Sequence, residues 1–139
     1  MSNRENRQDI VTIDGINYNI MIPENGIERS FSISDTDNAG RLLNGTMVRD
    51  IIGTYYNYKI LFETKYLSTD EYDNLYAKLS APVDYHMITV PYGQETLTFQ
   101  AYITSGSDTL RKVRGNKNDW TGLSVDFIAI SPQRTPLTS

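Results

Sequence analysis

The sequence contains no cysteine, which excludes disulfide bonds, thiolate nucleophiles and cysteine-ligated zinc sites. Its single histidine, His86, has no second histidine to join it in a metal site, and a structural role is favoured over a catalytic one. No apolar run approaches the roughly 20 residues that a membrane-spanning helix needs. The first ten residues, MSNRENRQDI, lack the apolar core of a secretion signal and are interpreted as a short mobile arm.

Charges of both signs are present, with a moderate excess of acid. The 139 residues include 13 basic and 17 acidic side chains, which gives a net charge of −4. This balance argues against wrapping a nucleic-acid backbone, because such binding relies on lysine and arginine to displace counterions. Ten tyrosines are the unusual feature of the composition, and tyrosine suits both half-buried strands and subunit interfaces. The length predicts one domain, 10–132, between an arm at 1–9 and a tail at 133–139.

One stretch, Ser68–Pro82, has the pattern of an amphipathic helix. Ser68 and Glu71 form a capping-box pair at its start, and Pro82 prevents its continuation. Between them apolar side chains recur three and four residues apart, at Tyr72, Leu75, Tyr76 and Leu79. The sequence therefore predicts a single helix at about 68–81, which needs a surface to cover.

The rest of the chain supplies strands, because its apolar residues mostly alternate with polar ones. The predicted strands are Ile10–Ile13, Ile16–Ile22, a short one at Phe31 and Ile33, Thr54–Thr64, His86–Val90, Thr96–Thr104 and Trp120–Ile130. Asp14-Gly15 predicts a tight hairpin turn between the first two strands, because both residues tolerate positive φ. Ser105–Asp119 is interpreted as a polar loop with room for a weak strand near Leu110–Val113. The sequence thus predicts a mainly β, α+β fold.

A long connection is predicted at Asp35–Gly53, and long loops in compact domains are usually functional or disordered. This one is too apolar for a solvated linker, since it contains Leu42, Leu43, Met47, Val48, Ile51 and Ile52. Such a loop either folds back onto its own domain or docks on another subunit.

The polar motifs of this loop do not support a binding site for an ion or a phosphate. The acidic run at 35–38 hints at a calcium loop, but Ala39 and Thr46 stand where further ligands are needed. Gly40–Gly45 lacks the lysine and hydroxyl pair that completes a phosphate-binding loop. No catalytic, cofactor-binding or metal-ligating residue is therefore predicted.

A basic patch lies near the C-terminal end of the predicted domain. It is formed by Arg111, Lys112, Arg114 and Lys117. Such a patch is either a solvated loop face or a contact with an acidic neighbouring subunit. Both interpretations stay open on the sequence alone.

The order of the elements resembles that of the tail-tube family of long-tailed bacteriophages, which includes tube subunits, distal tail proteins and baseplate hub domains. The order is a hairpin, an apolar long loop, a long strand, a helix, a hairpin and a closing strand. Three segments carry the resemblance: NAGRLLNGTMVRDIIG with TYYNYKI at 38–60, the helix at 70–82 followed by HMITVP at 86–91, and LSVDFIAISP at 123–132. The likeness covers most of residues 9–133 and consists of patterns rather than chemical signatures.

The resemblance implies two packed antiparallel sheets, sandwich-like or barrel-like, flanked by the single helix. It implies a structural virion protein, made in the host cytoplasm, that forms hexameric rings around a DNA channel as a tube, distal-tail or baseplate-adaptor subunit. Its partners are then copies of itself and neighbouring tail or baseplate proteins, with DNA only in transit and no membrane. The expected subunit-interface residues are Arg41, Leu42, Leu43, Met47, Val48, Ile51, Arg111 and Arg114.

A second class of function is compatible with the same sequence, namely a monomeric β-sandwich module that binds a glycan or a peptide. The residues that would form its binding platform are Tyr55, Tyr66, Tyr92 and Tyr102. An enzyme is not expected, because no set of acid, base and nucleophile is evident, and no cofactor is expected either.

Overall fold

The computed structural model describes residues 11–18 and 22–136, and the predicted arm at 1–9 lies outside this range. The described residues form one helix and eight strands. The strands are β1 (Thr12–Ile13), β2 (Ile27–Asp35), β3 (Gly40–Arg41), β4 (Met47–Val48), β5 (Ile51–Phe62), β6 (His86–Tyr92), β7 (Glu95–Arg114) and β8 (Lys117–Ala129). The helix, α1 (Thr69–Leu79), lies between β5 and β6 in the chain. The prediction of a mainly β, α+β fold with a single helix is confirmed.

Six strands form one antiparallel sheet in the order β1-β6-β7-β8-β5-β2, and β3 pairs with β4 in a separate hairpin. The sheet folds over on itself, because the Tyr58 hydroxyl on β5 donates a 2.8 Å hydrogen bond to the carbonyl of Pro91 on β6. In the strand register Tyr58 is level with Asp84, which is three strands away, beyond β8 and β7, and seven residues before Pro91. A flat sheet would hold Tyr58 and Pro91 about 25 Å apart. The two packed sheets that the resemblance implies are thus two halves of one continuous sheet.

The core lies between the inner faces of these two halves. Its strand side chains come mainly from alternate residues of β5, β6, β7 and β8, as the period of two in the sequence predicts. The most buried ones are Tyr58, Ile60 and Phe62 on β5, Ile88 and Val90 on β6, Phe99 and Ala101 on β7, and Leu123, Val125, Phe127 and Ala129 on β8. None of them is more than 3% exposed, so this alternation fixes which face of each strand is interior.

The helix begins and ends within two residues of its predicted bounds. The Glu71 amide donates to the Ser68 hydroxyl at 3.1 Å, and the Ser68 amide donates to the Glu71 carboxylate at 3.0 Å. The predicted capping box is therefore confirmed. Three residues of the predicted apolar stripe, Tyr72, Leu75 and Leu79, are buried, whereas the fourth, Tyr76, is 42% exposed.

The C-terminal part of the sheet differs from the prediction. Ser105–Asp119 is not a loop, because β7 continues to Arg114 and β8 begins at Lys117 after a two-residue turn, Gly115-Asn116. Nearly all side chains of this extended hairpin are exposed, so its residues show no apolar alternation. The loop at Asp35–Gly53 is also shorter than predicted, since β2 includes Asp35 and β5 begins at Ile51.

The N-terminal hairpin is reduced to its turn. Asp14 (φ 52°) and Gly15 (φ 78°) form the predicted tight turn, and the amide of Ile16 donates to the carbonyl of Ile13 at 2.9 Å. The strand predicted at Ile16–Ile22 is absent from its described residues, 16–18 and 22, and the rest of it lies outside the described range. Instead β1 pairs with β6, where Ile13 lies opposite Ile88.

The chain after β8 returns to the start of β5. The amide of Thr54 donates to the carbonyl of Arg134, and the amide of Gln133 donates to the carbonyl of Thr54, both at 2.8 Å. Gly53 (φ 156°) lies under this segment, and a Cβ atom there would stand 2.4 Å from the Arg134 carbonyl oxygen. The first residues of the predicted tail therefore extend the sheet, while 137–139 lie outside the described range.

Candidate assembly surface

The hairpin formed by β3 and β4 projects from the edge of the sheet, between the end of β2 and the start of β5. The amide of Leu42 donates to the carbonyl of Thr46 at 2.7 Å, and the amide of Gly45 donates to the carbonyl of Leu42 at 2.9 Å. Gly45 has a φ of 87°, which glycine adopts readily. The Arg41 guanidinium donates to the carbonyl of Gly45 at 3.0 Å and so lies beside the turn. The hairpin tip is therefore closed by its own hydrogen bonds.

The base of the hairpin is fixed by two pairs of residues. The Arg49 guanidinium donates to both carboxylate oxygens of Asp35, with Nη2–Oδ2 at 2.7 Å and Nε–Oδ1 at 3.1 Å. This hydrogen-bonded pair lowers the pKa of Asp35. Beside it the amide of Thr36 donates to the carbonyl of Asp50 at 2.8 Å, and the Thr36 hydroxyl donates to the Asp50 carboxylate. These contacts hold the hairpin in one orientation relative to β2 and β5.

Large apolar side chains are exposed along the hairpin and the adjoining strands. We call this surface the apolar ridge; it comprises Phe31, Ile33, Leu42, Leu43, Met47, Val48, Ile51 and Ile52. Leu43 at the tip is fully exposed, and Phe31 on β2 is 67% exposed. The predicted interface residues of the loop are thus all exposed on this projecting hairpin and the strands that adjoin it. Exposed apolar side chains gathered in this way mark a site of interaction.

The strand β2 adds a backbone edge to the apolar ridge. Among the described residues it is the last strand of the sheet and pairs only with β5, so its nine residues leave one row of backbone groups without a described neighbouring strand. Phe31 and Ile33 share the inner face with Tyr56 and line an open groove of about 420 Å³. A long, apolar edge strand is a template for pairing with another chain.

The remaining predicted interface residues, Arg111 and Arg114, lie elsewhere. They belong to the tip of the β7–β8 hairpin, at the end of β8 opposite to the one that adjoins the start of β5. Asp119 partly neutralises this patch, because the Arg111 Nε donates to it at 2.9 Å and the Arg114 Nε lies 3.9 Å from it. The structure therefore separates the predicted interface into two surfaces at opposite ends of the sheet.

The four tyrosines of the alternative binding platform do not share one surface. Tyr92 lies on the inner face, where its hydroxyl is 2.9 Å from that of Tyr56. Tyr55 and Tyr102 alternate with inward-facing neighbours and lie on the outer face, and Tyr66 precedes the helix. A glycan or peptide could contact only some of these rings at once.

The single histidine holds the N-terminal turn against β6. His86 is 4% exposed, and its Nδ1 lies 2.7 Å from the carboxylate of Asp14. The amide of Met87 donates to the same carboxylate at 2.9 Å, and the Lys78 ammonium lies 3.7 Å away. Burial alone would raise the pKa of Asp14, but these hydrogen bonds and charges together lower it. The geometry assigns this cluster a role in packing the chain.

The exposure of Phe31 and Ile33 could not be derived from the sequence. Serines alternate with apolar residues over 30–34, which is typical of any half-buried strand. Only the position of β2 at the end of the sheet leaves these side chains exposed. The hairpin itself does have a sequence signal, Asn44-Gly45, a dipeptide that favours tight hairpin turns.

No protein-family model matches the sequence, and a search of curated proteins finds no match. In residues 11–18 and 22–136, no helix is long and apolar enough to cross a membrane. The same residues contain no group of three or more histidine, cysteine, aspartate or glutamate side chains that could hold a metal ion. Function is therefore inferred from the apolar ridge and the β2 edge.

Proposed function

We propose that this protein is a structural subunit of the tail of a long-tailed bacteriophage, located in the virion and assembled into rings. Its place is in the tail tube or at the baseplate or adaptor end of the tube. The observation that carries the proposal is the nine-residue edge of β2, which no other described strand covers, together with the apolar ridge. An edge of this kind promotes uncontrolled aggregation unless another chain covers it.

A closed ring provides this cover in a controlled way. If the β2 edge of each copy contacts a different surface of the next copy, the interface is heterologous and closes into a ring when the rotation is suitable. The resemblance to the tail-tube family implies six copies in the ring. The net charge of −4 supports a lumen through which DNA passes without adhering, because acidic side chains repel phosphates.

The proposal is tested by introducing a charge on the exposed edge strand. We expect the native protein to form rings at high concentration, visible by negative-stain electron microscopy and as a defined species in sedimentation velocity. Phe31→Lys should prevent this assembly, because it places an ammonium group within the apolar ridge. Leu61→Lys is the matched control, since Leu61 is also exposed but lies on the outer face of β5, on no surface assigned to the assembly. A native protein that stays monomeric throughout, or a Phe31→Lys variant that forms rings as readily, would overturn the proposal.

A further inference from the structure

The tip of the β3–β4 hairpin combines apolar side chains with one cation. Leu42 is 54% exposed and Leu43 is fully exposed, so neither side chain is covered by its own chain. Arg41 lies beside the turn and forms no ion pair among the described residues, whereas Arg49 at the base is paired with Asp35. The tip therefore presents two leucines and a guanidinium that forms no ion pair with a described carboxylate.

A groove of matching chemistry lies beside the helix. Its volume is about 440 Å³, and Tyr76 and Trp120 line it with rings that are 42% and 39% exposed. The small residue Ala77 and the carboxylates of Asp73 and Asp108 also line it, together with Tyr72 and Ser80. We call it the helix groove. An occupant that is apolar and cationic suits this lining, because a carboxylate in an apolar surrounding attracts a guanidinium strongly.

The helix groove differs in charge from other grooves of the described surface. Of four other grooves on this surface, three are lined by at least one lysine or arginine. The fourth has no charged side chain in its lining. The helix groove alone among the five contains carboxylates and no cation. It is therefore the one whose charge is complementary to Arg41.

The tip and the helix groove lie at opposite ends of the sheet. Six residues of β5 lead from Ile51 to Asn57, and eight residues of β8 lead from its partner, Ile128, back to Trp120. This path corresponds to about 45 Å of extended strand. A contact between tip and groove therefore joins two copies head to tail and leaves one copy with a free groove and the other with a free tip.

We propose that the hairpin tip of one copy binds in the helix groove of a second copy, with Leu42 and Leu43 against Tyr76 and Trp120 and with Arg41 facing Asp73 and Asp108. The inference rests on the proposed function, because it names the partner of the apolar ridge in the assembly. It also explains why both apolar features are exposed in the single chain. The contact is heterologous, so it adds copies in one direction.

The absence of cysteine allows a direct cross-linking test. Leu43→Cys and Ala77→Cys, made as separate proteins and mixed at high concentration, should give a cross-linked heterodimer with a short bismaleimide. Leu43→Cys mixed with Glu95→Cys is the control, because Glu95 is exposed at the β6–β7 turn, away from the helix groove. Equal yields in the two mixtures, or a predominance of Leu43→Cys homodimers, would overturn the proposal.

A charge exchange tests the orientation of the contact. We expect Arg41→Glu or Asp73→Arg to lower the yield of association about tenfold, as for a close interfacial charge pair. A mixture of the two variants should recover association, because the glutamate tip of one meets the arginine groove of the other. Failure to recover would contradict the pairing. If the cross-link is absent while native rings form, this inference fails alone; if the cross-link forms but rings do not, the ring proposal fails alone.

Discussion

The substitution Tyr72→Phe tests how the helix is fixed on the sheet. The Tyr72 hydroxyl donates a 2.8 Å hydrogen bond to the carboxylate of Asp108 on β7, and the Tyr72 side chain is 7% exposed. Burial, and then the nearby Asp108 carboxylate, raise the pKa of Tyr72, so the phenol stays protonated and continues to donate at ordinary pH. Phenylalanine keeps the buried ring and removes only this donor.

The expected loss follows from the chemistry of the acceptor. A hydrogen bond to a charged group contributes about 1.5–3 kcal/mol to stability. Because Asp108 is half-buried, its carboxylate can bind water when the phenol is removed. We therefore expect the free energy of unfolding to fall by about 1–2 kcal/mol. For a domain of this size the melting temperature should fall by about 3–7 °C. Urea unfolding followed by circular dichroism measures the free energy of unfolding directly.

Tyr76→Phe is the matched control, because Tyr76 lies four residues, about one turn, further along the same helix yet is 42% exposed. It should change the free energy of unfolding by less than about 0.5 kcal/mol. Combining Tyr72→Phe with Asp108→Asn should show a coupling energy of about 1 kcal/mol or more in a double-mutant cycle. Equal effects of Tyr72→Phe and Tyr76→Phe, or strictly additive effects in the cycle, would refute this account of helix attachment.

Two further substitutions test other parts of the fold. Gly53→Ala should lower the free energy of unfolding by about 2 kcal/mol or more, because a Cβ would meet the Arg134 carbonyl oxygen at 2.4 Å. Gly40→Ala is the control, because there is open space around Gly40. In the same urea titration it should change the free energy of unfolding by less than about 0.5 kcal/mol. Asp14→Asn should remove a part of the stability that depends on pH. Folding lowers the pKa of Asp14, so the ionised carboxylate stabilises the folded state. This stabilisation is complete above the unfolded pKa of about 4 and is lost as the pH falls through the folded pKa. The difference between native and Asp14→Asn unfolding free energies should therefore vanish in acid, and a difference independent of pH would contradict the assignment.

The predictability of each element depended on how much of it is buried. The helix was predicted closely because its start is marked by a capping box and its apolar stripe meets the core. The strand β8 was predicted well from Leu123 onward, where alternate side chains are buried. Its hairpin with β7 was missed because the residues around Gly115-Asn116 are exposed on both faces, although this dipeptide is itself a hairpin signal.

Only part of the candidate surface has a signal in the sequence. The excess of apolar residues between Asp35 and Gly53 left two interpretations open, folding back onto the domain or docking on another subunit, and in the structure these side chains are exposed. The contribution of Phe31 to the apolar ridge depends on the strand order, and the helix groove with its carboxylates depends on the folding over of the sheet. Neither is encoded in a local pattern of the sequence.

The long strand β7 has a consequence for the order of folding. Ala101 pairs with His86 on one side and with Ala129 on the other, so β7 joins both halves of the sheet. Tight turns connect β6, β7 and β8, whereas the pairing of β5 with β8 joins residues as distant in sequence as Asn57 and Ile128. Loop closure disfavours such distant pairing, so we expect the three-stranded meander 86–129 to form first and β5 to dock on it later. Among the described strands β2 pairs only with β5, so we expect this edge strand to be added last and the surface proposed for assembly to be completed only when the chain has otherwise folded.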